Sequence, residues 1–277
     1  MFIQANSLTL HVLDHGGRGP VLILLHGLSA NAHCFDGLIA AGLPNHFHVY
    51  SVDLRGRGQS DKPATGYTMA DHSADIIGLL DALGFEQVIL GGHSFGGLLT
   101  LYTAAHYPER VSRLLVLDAA GKLHPDVRDL LKPSLARLEQ TMPSWEAFKA
   151  AMQAMPFLHG TWDEHLEAFY RADVEDLPTG EVKPRANAQA IWQAADLAID
   201  EAWDDYLAQI QQPTLLIRAP ENYGRAPVLL EADARATVSA LAHGRYAECT
   251  GNHMTMLFAP HAAGLVEQKG SWRESEF

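Results

Sequence analysis

The sequence predicts a doubly wound α/β fold: a mostly parallel sheet covered on both faces by helices, with a helical block inserted in its second half. Three observations predict it. Short continuous apolar runs at residues 21–25, 88–90, 114–117 and 214–217 read as central strands, because strands of a parallel sheet bury both faces. Helical stretches alternate with these runs, as crossover connections require. The alternation stops near Gly121 and resumes at Pro213.

The elements follow in order. Residues 2–5 and 8–14 read as a hairpin turning at Asn6-Ser7. The run 21–25 is bounded by Pro20 and Gly27, and His46 and His48 share one face at the start of the next strand. A helix is expected over 68–83, where Thr68 and Asp71 form a variant capping box, Ile76, Leu79, Leu80 and Leu83 form the apolar stripe, and Gly84 ends it. A second helix over 95–107 is rich in Gly, Leu and Ala and stops at Pro108. A last strand is expected over 244–249.

The stretch 121–206 shows no strand signal and reads as a helical insertion. It holds Trp145, Trp162, Trp192, Trp203, Met142, Met152, Met155 and Phe157, with acidic clusters at Asp163-Glu164 and Asp204-Asp205. A block inserted between strands of one sheet belongs over the strand ends, where α/β sites lie. The expected organisation is a core of residues 1–120 and 207–268, a helical cap of 121–206, and a polar tail of 269–277.

Composition bounds the function. The chain has 277 residues, 47% of them hydrophobic and 19% charged, enough for a sizeable core and too apolar for disorder. A formal net charge of −13 argues against a nucleic-acid partner. Cys34 and Cys249 do not make a disulfide framework and read as reduced thiols. The first residues show neither a basic region nor a long apolar run, and no stretch has the roughly 18–20 apolar residues of a membrane span, so a cytoplasmic protein is expected. The 15 histidines are scattered, without a His-Glu-x-x-His or Cys-x-x-Cys pattern, so no metal is expected.

The chemistry centres on Gly92-His93-Ser94-Phe95-Gly96, which follows a strand and opens a helix. A serine hydroxyl needs a base within reach and donors for the developing oxyanion. Glycines two residues either side of Ser94 permit a strained turn that exposes the hydroxyl, and the Phe95 N–H then faces outward at a helix start. His26-Gly27 ends the first buried strand beside this turn. It makes the Leu28 N–H the natural second donor, with His26 a hydrogen-bonding neighbour. Among the histidines, His253 in Gly251-Asn252-His253 has the placement of a base, in a loop after the last strand. His243 lies in the preceding turn and His261 in a helix.

These motifs resemble the α/β-hydrolase family, in particular its capped esterase, lactonase and carbon–carbon hydrolase branches. The resemblance spans residues 2–268, including His26-Gly27, the segment 53–60 (Asp-Leu-Arg-Gly-Arg-Gly-Gln-Ser), the Ser94 turn, Pro108-Glu109-Arg110-Val111 and His253. It is specific for fold and poorly specific for substrate. A Ser nucleophile counts against the epoxide hydrolases and haloalkane dehalogenases, which carry Asp there. Many relatives place the triad acid just after the strand that here ends near Arg218, but this chain has Asn222 at that position and Glu221 one residue earlier. Other relatives place the acid at the preceding strand, where Asp118 stands 118 − 94 = 24 residues after Ser94. Asp118 is preferred, with Glu221 the alternative.

The resemblance implies acyl transfer through Ser94, with no cofactor. The expected substrate is a neutral, fairly apolar ester or lactone, bound by His26, Gly27, Trp145, Met152, Met155 and Trp192. Acidic residues of the insertion would disfavour polyanions if they face the entrance. A carbon–carbon hydrolase of dienoate type ranks second, since it needs a cation in the pocket. Arg55 and Arg57 are candidates, although turn formation is their usual role. A small-molecule receptor with weak catalysis is the reading from another class, and a homodimer is an admissible assembly.

Overall fold

A computed structural model describes residues 1–121, 129, 132 and 135–268, so the expected tail 269–277 and parts of the insertion lie outside the described residues. Its centre is a sheet of eight strands: β1 (Phe2–Ala5), β2 (Leu8–Gly17), β3 (Val21–Leu25), β4 (His48–Val52), β5 (Val88–His93), β6 (Val111–Leu117), β9 (Thr214–Arg218) and β10 (Gly244–Glu248). Two further short strands, β7 (Val174–Asp176) and β8 (Val182–Pro184), form a separate hairpin. The spatial order is β1-β2-β4-β3-β5-β6-β9-β10. The β1–β2 and β2–β4 pairs are antiparallel, and every pair from β4 to β10 is parallel.

The apolar runs supply both faces of this sheet. Ile23, Leu25, Leu90, Leu114, Val116 and Leu216 join one core cluster. Their neighbours Leu22, Leu24, Ile89, Leu115, Leu117, Leu215 and Ile217 join the other. Residues 22–25 are each 0% exposed, and burial of such side chains contributes about 1.5–3 kcal/mol apiece. Helices α2 (Met69–Leu83) and α3 (Phe95–His106) cover the first face, while α1 (Asp36–Ala40) and the helix His261–Gln268 cover the second. The capping box is formed as the sequence suggests. Thr68 Oγ1 accepts from the Asp71 N–H at 3.0 Å, and Asp71 Oδ2 accepts from the Thr68 N–H at 3.0 Å.

Two features differ from the sequence reading. β2 runs to Gly17 rather than 14, through a register shift against β4 between Asp14 and Gly17. The inserted stretch is not purely helical, since β7 and β8 pair within it and Met142 and Val182 exchange backbone hydrogen bonds of 2.8 and 2.9 Å. Strands of three residues are too short to show an alternating pattern. The stretch packs into both core clusters, through Phe148, Leu166 and Phe169 on one side and Leu135, Ile191 and Ala194 on the other. Among the described residues no helix is long and apolar enough to cross a membrane. Nor, among them, does any group of three or more His, Cys, Asp or Glu side chains suit a metal ion. Cys34 and Cys249 are free and buried.

Candidate active site

The site begins at the junction of β5 and α3. Ser94 sits there at φ 54° and ψ −121°, a conformation costing on the order of 1–3 kcal/mol for a residue with a side chain. Backbone bonds hold it in place: its N–H donates to Leu117 O at 2.9 Å, and its carbonyl accepts from Gly97 and Leu98 at 2.8 and 3.1 Å. The flanking glycines are steric necessities. A Cβ on Gly92 would stand 2.1 Å from Gly96 O, and one on Gly96 would stand 1.9 Å from Leu25 O. Phe95 is the first residue of α3, so its N–H has no acceptor within the helix.

The loop after β3 lies against this turn, and a Cβ on Gly27 would be 3.4 Å from Ser94 Cβ. His26 shapes the loop from behind. Its Nε2 accepts from the Leu54 N–H at 3.0 Å, so the proton sits on Nδ1, which donates to Gly27 O at 2.7 Å. Burial pushes the His26 imidazole down to about 4, which keeps it neutral. The Gly27 carbonyl also accepts from the Ala30 N–H at 3.1 Å. That carbonyl belongs to the peptide whose N–H is that of Leu28, so both bonds orient the Leu28 donor. Asp53 braces the same region, accepting from Ala32 N–H at 2.7 Å, Gln59 N–H at 2.9 Å and the His11 ring at 2.8 Å.

His253 comes from the loop after β10. Asn252 Oδ1 builds that loop by accepting from the Met254 and Thr255 N–H groups, both at 3.0 Å. His93 holds it from the serine turn, donating from Nε2 to His253 O at 2.7 Å. Behind the imidazole, Asp118 Oδ2 accepts from His253 Nδ1 at 2.7 Å, and Asp118 Oδ1 accepts from the Ala219 N–H at 2.9 Å. The Asp118 side chain is 0% exposed. Glu221 is placed differently: its Oε1 accepts from the Gly251 N–H at 2.9 Å, so it braces the loop and makes no hydrogen bond to His253. Asn222 contributes only a backbone carbonyl, 3.4 Å from Asn252 Nδ2.

A family model for the α/β-hydrolase fold matches residues 20–223. The chain belongs to this family. It is 30% identical over 242 residues to the 2-(acetamidomethylene)succinate hydrolase of Mesorhizobium japonicum, covering 86% of this chain and 82% of that protein. Solved α/β-hydrolase structures share its shape. The crystal structure of E-2-(acetamidomethylene)succinate hydrolase superposes with a TM-score of 0.86 at 23% identity, over 98% of this chain and 97% of that one. The enol-lactonase from Burkholderia xenovorans LB400 gives a TM-score of 0.71 at 20% identity, over 98% and 96% of the two chains. Likeness at such identities speaks for the fold alone.

In this α/β-hydrolase, Ser94 and His253 line one cavity of about 70 Å³, together with Gly27, Leu28, Met152 and Met155. Three residues expected to touch substrate lie outside its wall. His26 is fully buried behind the Gly27 peptide. Trp145 packs on Phe148 with centroids 5.9 Å apart, under the Arg171 guanidinium. Trp192 packs against the opposite core cluster. Aromatic and thioether content marked the insertion as apolar but not which side chains turn inward. Arg55 and Arg57 are also outside the wall, and Arg55 is held bidentately by Asp75 at 2.5 and 2.6 Å.

The wall contains a cation that sequence reasoning missed. Arg137 lines the cavity and is 8% exposed, and no Asp or Glu is among the described lining residues. Its Nε donates to Asp173 Oδ2 at 3.0 Å and its Nη2 to Ser29 O at 2.7 Å. Burial opposes its charge most strongly, but Asp173 together with the neighbouring Tyr170 and Tyr223 holds the guanidinium above its ordinary value. Tyr170 and Tyr223 also line the cavity, and burial pushes the Tyr170 phenol up. Arg137 and Asp173 are 36 residues apart, so no local pattern links them.

Proposed function

We propose that this chain is a serine hydrolase that cleaves a small carboxylate-bearing acyl compound through an acyl-enzyme on Ser94. His253 takes the Ser94 proton as the hydroxyl attacks the carbonyl. Asp118 keeps the proton of His253 on Nδ1 and stabilises the imidazolium. The Leu28 and Phe95 N–H groups receive the oxyanion. His253 returns the proton to the leaving group, then activates the water that releases the acid. The 2.7 Å contact of His253 Nδ1 with Asp118 and the cavity shared by Ser94 and His253 support these roles.

Arg137 is the observation that carries the substrate class. Its charge is already met by Asp173 at 3.0 Å, so what Arg137 offers a substrate carboxylate is a directional guanidinium contact in a wall with no described acidic residue, and not a net positive field. This moves the reading away from the neutral ester or lactone that composition favoured. The Mesorhizobium relative is named for a succinate derivative, which fits the same chemistry. A neutral ester or lactone remains the second reading, supported by the apolar side chains Leu135, Met152, Phe157 and Phe169 in the wall.

The test compares mono(4-nitrophenyl) succinate with 4-nitrophenyl butyrate, a neutral ester of equal chain length. The wild type is expected to favour the succinate by about tenfold or more in kcat/KM, and Arg137→Met to lose that preference mainly through KM. Preference for butyrate, or a ratio unmoved by Arg137→Met, refutes the carboxylate reading. Turnover of both esters surviving Ser94→Ala refutes the acyl-enzyme.

A further inference from the structure

Arg57 is 0% exposed, yet among the described residues no Asp or Glu is paired with it. Its Nε donates to Leu28 O at 3.0 Å, and its Nη1 donates to Arg55 O at 2.7 Å. Nη1 also lies 2.9 Å from His72 Nε2. The other His72 nitrogen donates to Thr68 O at 2.8 Å, so His72 meets Arg57 as a neutral acceptor and brings no negative charge. Among the described residues Nη2, which is buried, has no hydrogen-bond partner. The guanidinium carbon stands 5.4 Å from the Phe95 ring centroid and 6.0 Å from that of Tyr67. Burial pulls the group down to about 10, which leaves it charged at neutral pH.

Arg57 therefore touches both residues whose N–H groups are the proposed oxyanion donors, Leu28 through a hydrogen bond and Phe95 through its ring. A neutral donor would suffice to tie down the Leu28 carbonyl. An unpaired buried charge is costly, so the charge itself needs a cause. Arg55, two residues away, shows the ordinary arrangement, with its charge met by Asp75.

We infer that Arg57 is a positioning residue that sets a fixed positive charge behind the oxyanion donors, stabilising the negative charge that develops on the substrate carbonyl oxygen. The inference rests on the proposed oxyanion roles of Leu28 and Phe95. The charge is present before the reaction and is shielded from water, the condition under which fixed charges lower a barrier most. It acts on the transition state and leaves ground-state binding nearly unchanged, so its signature is in the acylation rate and not in KM.

The test separates charge from hydrogen bonding. Arg57→Lys keeps the charge and loses the planar fork, whereas Arg57→Gln offers an amide donor to Leu28 O and loses the charge. The acylation rate constant is read from the 4-nitrophenol burst with 4-nitrophenyl acetate, with KM measured alongside and Tm as a control for folding. Arg57→Gln is expected to lose roughly 30-fold in acylation with KM within about threefold of wild type, and Arg57→Lys to lose less than about tenfold. A loss in Arg57→Lys as large as in Arg57→Gln, or a loss below about threefold in Arg57→Gln, overturns the inference. Where Arg57→Gln does not fold, Arg57→Lys decides alone: a loss below about tenfold supports the charge, and a larger one overturns it. Ser94→Ala is run in parallel. A burst that survives there refutes the acyl-enzyme, whereas a Ser94-dependent burst unchanged in Arg57→Gln refutes the role of Arg57 alone.

Discussion

Replacing Asp118 with Asn changes one buried atom and reverses the hydrogen-bonding logic behind His253. In the native site Asp118 Oδ1 accepts from the Ala219 N–H at 2.9 Å and Oδ2 from His253 Nδ1 at 2.7 Å. An Asn has one acceptor. The Ala219 N–H needs it, so the amide nitrogen is turned toward His253 Nδ1 as a donor. The imidazole must then carry its proton on Nε2, the nitrogen that should take the proton of Ser94. The lost charge adds to this. Two unit charges about 4 Å apart interact by about 4 kcal/mol at an effective dielectric of about 20, or on the order of 10³ in rate. Asp118→Asn should therefore lower kcat with 4-nitrophenyl acetate by about a thousandfold, leave KM within about threefold, and retain the wild-type circular dichroism spectrum. Glu221→Gln keeps an acceptor for the Gly251 N–H and should lose less than about fivefold. A loss below about tenfold in Asp118→Asn, or an equal collapse in Glu221→Gln, would show that the carboxylate working on His253 has been misassigned.

Three further outcomes concern stability. His26 is neutral in both states above pH 6.5, its ordinary value, while below it the unfolded chain takes up a proton that the folded chain refuses until about 4. Stability should thus be full above pH 6.5 and fall by about 2 kcal/mol from this group alone by pH 5, seen as a drop in urea midpoint; a flat midpoint between pH 7 and 5 would contradict it. Burial lowers His72 and His93 as well, so they add to the same slope. Gly96→Ala places a Cβ 1.9 Å from Leu25 O and should cost at least about 3 kcal/mol, measurable as lost soluble expression or a Tm lowered by several degrees. Asp173→Asn leaves Arg137 buried beside a neutral partner and should cost about 3–5 kcal/mol in chemical denaturation; a change below about 1 kcal/mol would mean that the pair is not a buried ion pair in solution.

Local chain chemistry was enough for much of this molecule. Continuous apolar runs identify central strands because both their faces are buried, and Thr68 with Asp71 marks a helix start because the two satisfy each other's neighbouring N–H groups. The turn at Ser94 was legible because its glycines answer contacts made within and beside the turn itself. Relations between distant segments were not. The preference for Asp118 over Glu221 gained its geometric support only from the pairing of β6 and β9, which sets Asp118 N–H on Ile217 O at 2.8 Å and aims the carboxylate at the loop after β10. The cavity wall was hidden for the same reason. Trp145 and Trp192 look as suitable as Met152 and Met155 by composition, and only packing turns the methionines inward. Arg137 reads as one surface charge among many until Asp173 and Ser29 close around it. Residue type restricts what a group can do, while the company it keeps is decided by contacts that no local pattern records. Ser94 illustrates both sides: its own turn is written in the sequence around it, but the groups proposed to act with it arrive from three other loops of the fold.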